Sequence, residues 1–328
     1  MDDLMESLSS MIKPDMVAAL GKAFGADTSS INQGLAAVGP LTMSNMAKFA
    51  SAPGGAESLM RMLPKDGVAL GSIRNVIASL TSGGSNTAMV NSVMGPGVNA
   101  IGASLSKALG FDVTPLLTMV VPVIGGLVAK SVKSANLDAA GLGAMLRKQT
   151  ADFANDPANK ETMALVNEAN AVGEKAAAQI AAYGEDWSKV AAGPAAALLL
   201  VATSDLSGPV GAIKEFKAAD AALRQSISGA PATSVMSAAF GGGLTETALK
   251  SVRELAKDKD ALLRMITEGA AAFASRSPAE VAEYKDTIRA VAKATAEASK
   301  EGGFLGIGGK RVSADEQVAL DRIDQAIS

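Results

Sequence analysis

Five acidic side chains stand beside joints between predicted helices in the second half of the chain, and they could hold a hard cation. They are Asp205, Glu215, Glu301, Asp315 and Glu316. Ca²⁺ and Mg²⁺ prefer oxygen ligands of this kind, but none of the spacings reproduces an EF-hand loop. Asp315 and Glu316 also fall in the first turn of a predicted helix, where the helix dipole alone favours acids. We therefore favour helix caps and solvated faces, and keep a Ca²⁺ or Mg²⁺ site as the alternative.

Most other catalytic chemistry is excluded by composition. The chain has no cysteine and no histidine, which rules out thiol nucleophiles, disulfides, zinc–thiolate sites and Ser-His-Asp triads. An enzyme would have to use carboxylates, Lys, Tyr or a Ser/Lys pair, and no pair of acids stands out. Tyr183 and Tyr284 lack the arrangement of basic neighbours that would mark a catalytic phenol. The sequence predicts a protein that is not an enzyme and that needs no cofactor.

The glycine-rich segment Gly302–Gly309 invites comparison with a phosphate-binding loop, because backbone N–H groups in such loops cradle phosphates. A Walker motif requires Gly-Lys followed by Ser or Thr, with another Gly five residues before that Gly-Lys. Here Lys310 is followed by Arg311, and Phe304 stands where the first Gly is required. We therefore predict a structural turn, whose apolar residues are either tucked inward or exposed to a partner.

The composition predicts a helical core. Hydrophobic residues make up 48% of the chain but aromatics only 3%, so the core must be built from Ala, Leu, Val, Ile and Met, which suits packed helices better than strands. Apolar residues recur at spacings of three and four, and no alternating pattern persists. Methionine could offer copper(I) a soft ligand, but many of the methionines fall on apolar helical positions, which favours core packing. Examples are Met16, Met43, Met46, Met119 and Met145.

Charge and hydropathy argue against a nucleic-acid partner and a membrane span. The net charge is −3, and neither half of the chain has the clustered positive face that nucleic acid requires. The chain opens MDDLMESL, which is acidic where a signal peptide would be basic. The most apolar runs, Leu116–Ala129 and Ala191–Ala202, are shorter than the roughly 20 residues that cross a bilayer. We expect a cytoplasmic protein. Contact with a membrane surface stays an open alternative, which the sequence does not support.

Residues 1–150 contain an internal repeat of a helical unit. The segment LGKAFGAD at residues 20–27 matches LSKALGFD at residues 105–112. Four further pairs align downstream: Pro40 with Pro122, Lys48 with Lys130, Leu59 with Leu142, and Leu63 with Leu146. We predict two copies of one unit, residues 14–64 and 98–148, in which one helix ends at Gly and Asp caps the next. We also expect the first copy's capped helix to stop at Gly39 and a new helix to begin at Pro40.

From about residue 151 the predicted helices become longer and more charged, which places a domain boundary at residues 150–156. Residues 151–328 are predicted to form a second helical domain. Ser277-Pro278-Ala279-Glu280 and Ser313-Ala314-Asp315-Glu316 are two capping boxes, in which Ser caps a helix and Glu reaches back from three residues on. Trp187, the only tryptophan in the chain, is expected to anchor the core.

The first half resembles the YidB-like bacterial domain of unknown function. The resemblance rests on the two segments LGKAFGAD and LSKALGFD, and on the apolar helices that follow them. These helices read PLTMSNMAKFA from residue 40 and PLLTMVVPVIGGLVAK from residue 115, and LDAAGLGAMLRKQ follows from residue 137. The pattern covers about 130 residues. It implies a helical fold and no assigned activity.

The second half resembles helical domains related to TerB, the tellurite-resistance family. The resemblance rests on DWSKVAAGPAAALLLVATSD at residues 186–205 and on KATAEASKEGGFLGIGGKRVSADEQVALDRIDQAI at residues 293–327. Related sequences often carry an Ala-Asp-Gly turn where this chain has Ser204-Asp205-Leu206-Ser207-Gly208, and Glu215 stands where an acidic helix residue is expected. The departure from Asp-Gly counts against any acidic metal site that the resemblance implies. What the resemblance implies is a cytoplasmic, stress- or envelope-associated context rather than a reaction.

These observations predict an all-α protein of two helical domains, a YidB-like domain at residues 1–150 and a TerB-like bundle at residues 151–328. We expect a non-enzymatic binding or scaffold protein that associates with itself as a homo-oligomer, or with another protein, in a stress or envelope setting. The alternative is an acidic divalent-metal binder or sensor that uses the helix–loop–helix joints of the second half. The two hypotheses differ in whether Asp205, Glu215 and residues 301–316 converge on one point.

Overall fold

The computed structural model describes residues 4–64, 87–204, 208–231, 234–241, 243–244, 246–274, 276, 278–298 and 312–328. These ranges contain sixteen α-helices and no strand, so the predicted all-α class is confirmed. The helices group into two compact units, Met1–Ala177 and Ala178–Ser328. The sequence also predicts a helix near Ile73–Leu80, but this segment lies outside the described residues.

The first unit is built from nine helices of the described ranges and one short 3₁₀ turn at Pro157–Asn159. The helices are α1 (Leu4–Met11), α2 (Pro14–Phe24), α3 (Thr28–Ser51), α4 (Gly55–Met62), α5 (Thr87–Met94), α6 (Val98–Leu109), α7 (Thr114–Ser134), α8 (Ala139–Asn155) and α9 (Lys160–Ala181). The last four residues of α9 belong to the second unit. α3 and α7 are buried on most of their faces, which is typical of the central helices of a bundle.

The second unit contains seven further helices within the described residues. They are α10 (Asp186–Ala202), α11 (Gly208–Ile227), α12 (Val235–Phe240), α13 (Glu246–Arg253), α14 (Lys259–Ala272), α15 (Pro278–Ala298) and α16 (Ala314–Ala326). α10 is the central helix, because it packs against α14, α15 and α13 and most of its C-terminal half is buried. α15 in turn packs against α11 and α16.

The two predicted repeat units of the first half share one local architecture. α2 and α6 both end at a glycine in the left-handed region, Gly25 with φ 65° and Gly110 with φ 77°, a conformation that glycine adopts without steric cost. An aspartate follows each glycine. Asp27 caps α3 by accepting a 2.7 Å hydrogen bond from the Ser30 N–H, and Asp112 accepts one of 2.9 Å from the Thr114 N–H at the start of α7.

The leucine pairs of the two repeat copies also have the same role in packing. Leu59 and Leu63 lie at the end of the first repeat copy, and Leu142 and Leu146 lie at the end of the second copy. All four leucines are buried in one core. The methionines at apolar positions pack in the same core: Met43, Met46, Met119 and Met145 are buried, and Met16 is half-buried against them. Their predicted role in packing is confirmed.

Prolines lie inside three of the described helices, Pro40 in α3, Pro122 in α7 and Pro194 in α10. The expectation that one helix stops at Gly39 and another begins at Pro40 is therefore wrong. A proline removes one helical hydrogen bond and crowds the residue before it. That crowding involves the preceding Cβ, which is missing where the residue is Gly39 or Gly193. Burial of α3 on both sides of Pro40 keeps the helix continuous.

Packing joins most of α9 to the first unit. Val166 and Ala169 are fully buried in its core. Along the chain, the boundary between the compact units therefore falls within α9, after Ala177, whereas the composition changes at residues 150–156. The limits 1–150 and 151–328 describe that change in the sequence, and as domain limits they stay a prediction.

One described helix, α7, is long and apolar enough to cross a membrane by length and composition. It has 21 residues, more than the apolar run Leu116–Ala129 from which no span was expected. In the first unit 61% of its most apolar stretch is buried, as in the core helix of a folded domain.

Candidate functional site

The predicted acidic set is only partly within the described residues. Asp205 and Glu301 lie outside them, as does the predicted turn Gly302–Gly309. Glu215 lies on the buried side of α11 with 2% of its surface exposed, and Glu316 is 4% exposed at the start of α16. In the described ranges no group of three or more acidic side chains is placed to hold a metal ion. The metal hypothesis for the complete set stays a prediction.

Glu316 has a structural task that the sequence predicted. Its Oε2 accepts a 2.7 Å hydrogen bond from the Ser313 N–H, and the Ser313 Oγ accepts one of 3.2 Å from the Glu316 N–H. The predicted capping box at α16 is therefore confirmed. α15 begins at Pro278 as predicted, but Ser277, its predicted cap, lies outside the described residues. Asp315 is exposed in the first turn of α16, where the helix dipole favours it.

The centre of the second unit is a stack of aromatic rings around Tyr284. Tyr284 is fully buried, and its ring stacks on Phe273 at 4.4 Å and, more loosely, on Phe240 at 6.2 Å. Trp187, expected as the core anchor, is half-buried beside Tyr183 at the edge of this core. The anchor role belongs to Tyr284 instead.

The Tyr284 hydroxyl replaces a helical hydrogen bond that α10 lacks because of a proline. It donates a 2.9 Å hydrogen bond to the Val190 carbonyl. In a regular helix this carbonyl would accept from the residue four positions on, which is Pro194 and has no N–H. The phenol on α15 thus supplies the donor that α10 lacks.

Two glycines make room for that hydroxyl. A Cβ at Gly193 of α10 would lie 2.1 Å from the Tyr284 oxygen, and one at Gly269 of α14 would lie 2.5 Å from it. The Gly269 Cβ would also come within 2.9 Å of the Lys189 carbonyl oxygen. Three helices therefore meet at the Tyr284 hydroxyl at distances that exclude any side chain larger than hydrogen at these two positions.

Tyr183 has a basic neighbour that the sequence did not reveal. The Arg276 guanidinium carbon lies 4.1 Å from the centre of the Tyr183 ring, a cation–π contact. Desolvation by burial raises the pKa of Tyr183, and the positive charge of Arg276 opposes that rise without cancelling it. Burial raises the pKa of Tyr284 far more. Neither phenol therefore gives up its proton near neutral pH.

The first unit has a cleft of about 290 Å³ between α3, α5, α6 and α9, which we name the α3–α9 cleft. Its walls are mostly apolar, with polar side chains at one side. Asn45, on α3, donates from Nδ2 both to the Leu41 carbonyl at 2.9 Å and to Asn170 Oδ1 at 2.8 Å. At the exposed rim, Lys48 Nζ pairs with Glu174 at 2.5 Å. The cleft could receive an apolar group with a polar edge.

Glycine also sets the geometry of the α3–α9 cleft. A Cβ at Gly97, before α6, would lie 2.1 Å from the Gly173 carbonyl oxygen of α9. Gly173 in turn faces Ile101, since its own Cβ would come within 2.5 Å of that side chain. The backbone of α9 therefore lies against the turn that starts α6, and Gly173 of this contact lines the cleft.

A second cleft of about 290 Å³ lies beside α1. α1 contributes Met5, Leu8 and Ile12, and α3 contributes Leu35. Asn159 stands at its polar side. The described side chains that line it are apolar or neutral polar, so the cleft offers space and apolar contact.

The surface of the second unit carries two faces of opposite charge. The α11 face consists of Ile213, Lys214, Phe216 and Lys217, all exposed. The α16 face consists of Asp315, Val318 and Asp321, also exposed. Each combines apolar side chains with charge of one sign. Both faces were missed at the level of sequence because, of their charged residues, only Asp315 was considered, as a candidate ligand or a first-turn acid.

Comparison with known proteins covers the first half alone. Residues 6–131 match the model of a family described as bacterial protein of unknown function (DUF937). No curated protein and no solved structure is significantly similar to the chain, and the TerB-like resemblance of the second half stays a prediction. For the first half, the match confirms the predicted similarity to a bacterial domain of unknown function, over residues 6–131.

Proposed function

We propose that the protein acts as a helical scaffold that binds and associates with itself, and not as an enzyme. One observation carries the proposal. The second unit exposes Ile213 by 58%, Phe216 by 36% and Val318 by 57%. These three are the exposed large apolar side chains among those whose burial the structure describes. Association would remove this apolar surface from water, which is favourable by roughly 25 cal/mol per Å².

The arrangement of these side chains supports the proposal more than their number does. Isolated apolar side chains are ordinary on protein surfaces. Ile213 and Phe216, however, are three residues apart on α11 and therefore neighbours on the helix surface. Val318 lies between two aspartates on α16. Apolar contact rimmed by charge is the usual composition of a protein–protein interface.

The chemistry of the described polar groups also favours binding over catalysis. The Tyr284 hydroxyl is committed to the Val190 carbonyl, and Glu316 is committed to the Ser313 N–H. Burial raises the pKa of both tyrosines away from neutral pH. A general acid or base works best with a pKa near the working pH, which neither phenol has.

The cellular setting is part of the proposal. A cytoplasmic location and a stress or envelope context rest on the resemblance of the second half to TerB-like domains. Deleting the gene and exposing cells to envelope stress or tellurite tests this part. Growth that is unchanged under every stress would contradict it.

Size-exclusion chromatography with light scattering tests self-association. We expect the mass to rise above the monomer value of 32.9 kDa as the protein concentration increases. The measurement is repeated with millimolar Ca²⁺ and with EDTA. A monomer at every concentration would overturn the proposal, and a mass or melting temperature that follows Ca²⁺ would favour the metal-sensor hypothesis instead.

A further inference from the structure

We propose that copies of this chain join head to tail, with the α11 face of one copy packed against the α16 face of the next. The inference deepens the proposed self-association and rests on it. It names the two surfaces that meet and the sign of the charge on each. The partner is therefore a second copy of this chain.

The α11 face is apolar and positive. Lys214 and Lys217 are exposed beside Ile213, and Phe216 lies at the edge of the same face. Other charges nearby cancel: Arg224 Nε pairs with Asp220 at 2.9 Å one turn further along the helix. The side chain of Glu215 points the other way, into the unit. The net charge presented by this face is positive.

The α16 face is apolar and negative. Asp315 and Asp321 lie three residues before and after Val318, so they flank it on the helix surface. Arg322 stands on the same side but pairs with Asp260 at 2.5 Å, which neutralises it. Two negative charges therefore surround one exposed valine.

Charge decides which faces can meet. Pairing two α11 faces would bring four lysines together, and pairing two α16 faces would bring four aspartates together. Like charges across an interface oppose association, whereas opposite charges favour it and fix the register. An α11–α16 contact sets Lys214 and Lys217 against the two aspartates and lays Ile213 and Phe216 on Val318.

A contact between different faces leaves one of each free at the ends of every pair. Further copies can add there, which builds a ring if the rotation closes and an open chain if it does not. α15 packs against both α11 and α16, so one compact unit carries both surfaces. Each face lies on a single helix, so its area is small compared with the roughly 800 Å² that each partner buries in a standard interface. We therefore expect weak, concentration-dependent association.

Salt dependence follows from the charges. The Debye length shrinks from about 8 Å at physiological ionic strength to about 3 Å in 1 M salt. We expect molar NaCl to weaken the association of the wild-type chain. Purely apolar contact would instead be unchanged or strengthened.

A charge-reversal experiment tests the pairing. The variants are K214E/K217E, which makes the α11 face negative, and D315K/D321K, which makes the α16 face positive. Each should associate with itself at least about tenfold more weakly than the wild-type chain, because like charges now face each other. An equimolar mixture should associate again, since each reversed face now meets a face of opposite charge on the other variant.

The matched control is K257E/K293E, which reverses two exposed lysines elsewhere in the second unit. It should associate like the wild-type chain, and circular dichroism should show all variants folded. If the wild-type chain never associates, the proposed function fails. If it associates but the face variants behave like the control, or their mixture is not restored, the pairing inferred here is overturned and the proposed function stands.

Discussion

The Tyr284 hydroxyl and the Val190 carbonyl oxygen are 2.9 Å apart, and this bond replaces one that Pro194 cannot make. Tyr284 lies on α15 and Val190 on α10, 94 residues earlier. A buried carbonyl left without a donor costs free energy comparable to a lost hydrogen bond. The interrupted helix α10 therefore depends on a side chain from a distant helix.

Replacing Tyr284 by Phe should destabilise the protein by about 1–2 kcal/mol, because the buried Val190 carbonyl loses its donor while the aromatic ring is kept. Urea unfolding followed by circular dichroism measures the loss. In a Pro194→Ala background the new Ala N–H can reach the same carbonyl. The cost of Tyr284→Phe should then fall, and an equal cost in both backgrounds would disprove the compensating role.

Alanine at Gly193 or Gly269 should destabilise the second unit by about 1–3 kcal/mol, the cost of overpacking a dense core. In both cases the new Cβ would overlap the Tyr284 hydroxyl. Gly229→Ala is the matched control, since a Cβ there meets nothing within 4 Å. Thermal melts of the three variants give the comparison.

The two glycines should also differ in how well Tyr284→Phe rescues them. At Gly193 the only contact under 3 Å is with the hydroxyl, so its removal relieves most of the overlap. At Gly269 the Lys189 carbonyl oxygen would still lie 2.9 Å from the Cβ. Rescue of Gly269→Ala that equals rescue of Gly193→Ala would contradict this geometry.

The sequence predicts best those features of the fold that are determined by residues close together in the chain. Helix type and the caps at Asp27 and Ser313 follow from residues within one turn, and these predictions are correct. The break expected at Pro40 is wrong, because local propensity was outweighed by the burial of α3 within the bundle.

Two features of the candidate sites could have been predicted from spacing. Val281, Tyr284 and Ile288 recur at three and four residues, which puts Tyr284 on the apolar stripe of its helix. Glu215 precedes Ala219 and Leu223 at steps of four, so it shares their buried side. The Tyr284–Val190 bond and the Gly97–Gly173 contact join distant segments, and no periodicity within one helix reveals them.

High pH should unfold the protein together with the ionisation of its two tyrosines. Burial raises the folded-state pKa of both above the ordinary value of 10.0. The stabilisation linked to these phenols is complete below about pH 10 and is lost as the pH rises, because the unfolded chain then releases protons that the native state retains.

Tyrosinate absorbance and circular dichroism, recorded together during an alkaline titration, provide the measurement. The absorbance of Tyr284 should appear only as helicity is lost. In Tyr284→Phe the remaining signal belongs to Tyr183, which is half-buried and should ionise at lower pH. Reversible ionisation of both residues near pH 10 in a fully helical protein would refute the prediction.

Gly97→Ala should destabilise the first unit by about 1–3 kcal/mol, because its Cβ would overlap the Gly173 carbonyl oxygen, and backbone cannot rotate away as a side chain can. Gly102→Ala in α6 is the control. Its Cβ would meet only Thr114 and Leu117 at ordinary contact distances, so alanine there should stabilise the helix by roughly 0.5–1 kcal/mol. Urea midpoints that shift the same way in both variants would rule out the close contact.

The capping box of α16 separates a structural role of Glu316 from a metal role. Ser313→Ala should cost about 1 kcal/mol, because the Glu316 N–H loses its acceptor. Glu316→Gln keeps an amide oxygen that can accept from the Ser313 N–H, so it should cost less than Glu316→Ala, which removes that acceptor altogether. Gln is a poor substitute for a carboxylate on Ca²⁺. The melting temperatures of the wild-type chain and of Glu316→Gln are therefore each measured with Ca²⁺ and with EDTA. If the carboxylate serves as a cap, neither protein's melting temperature should change between the two conditions. A rise with Ca²⁺ in the wild-type chain that Glu316→Gln abolishes would assign Glu316 to a metal site.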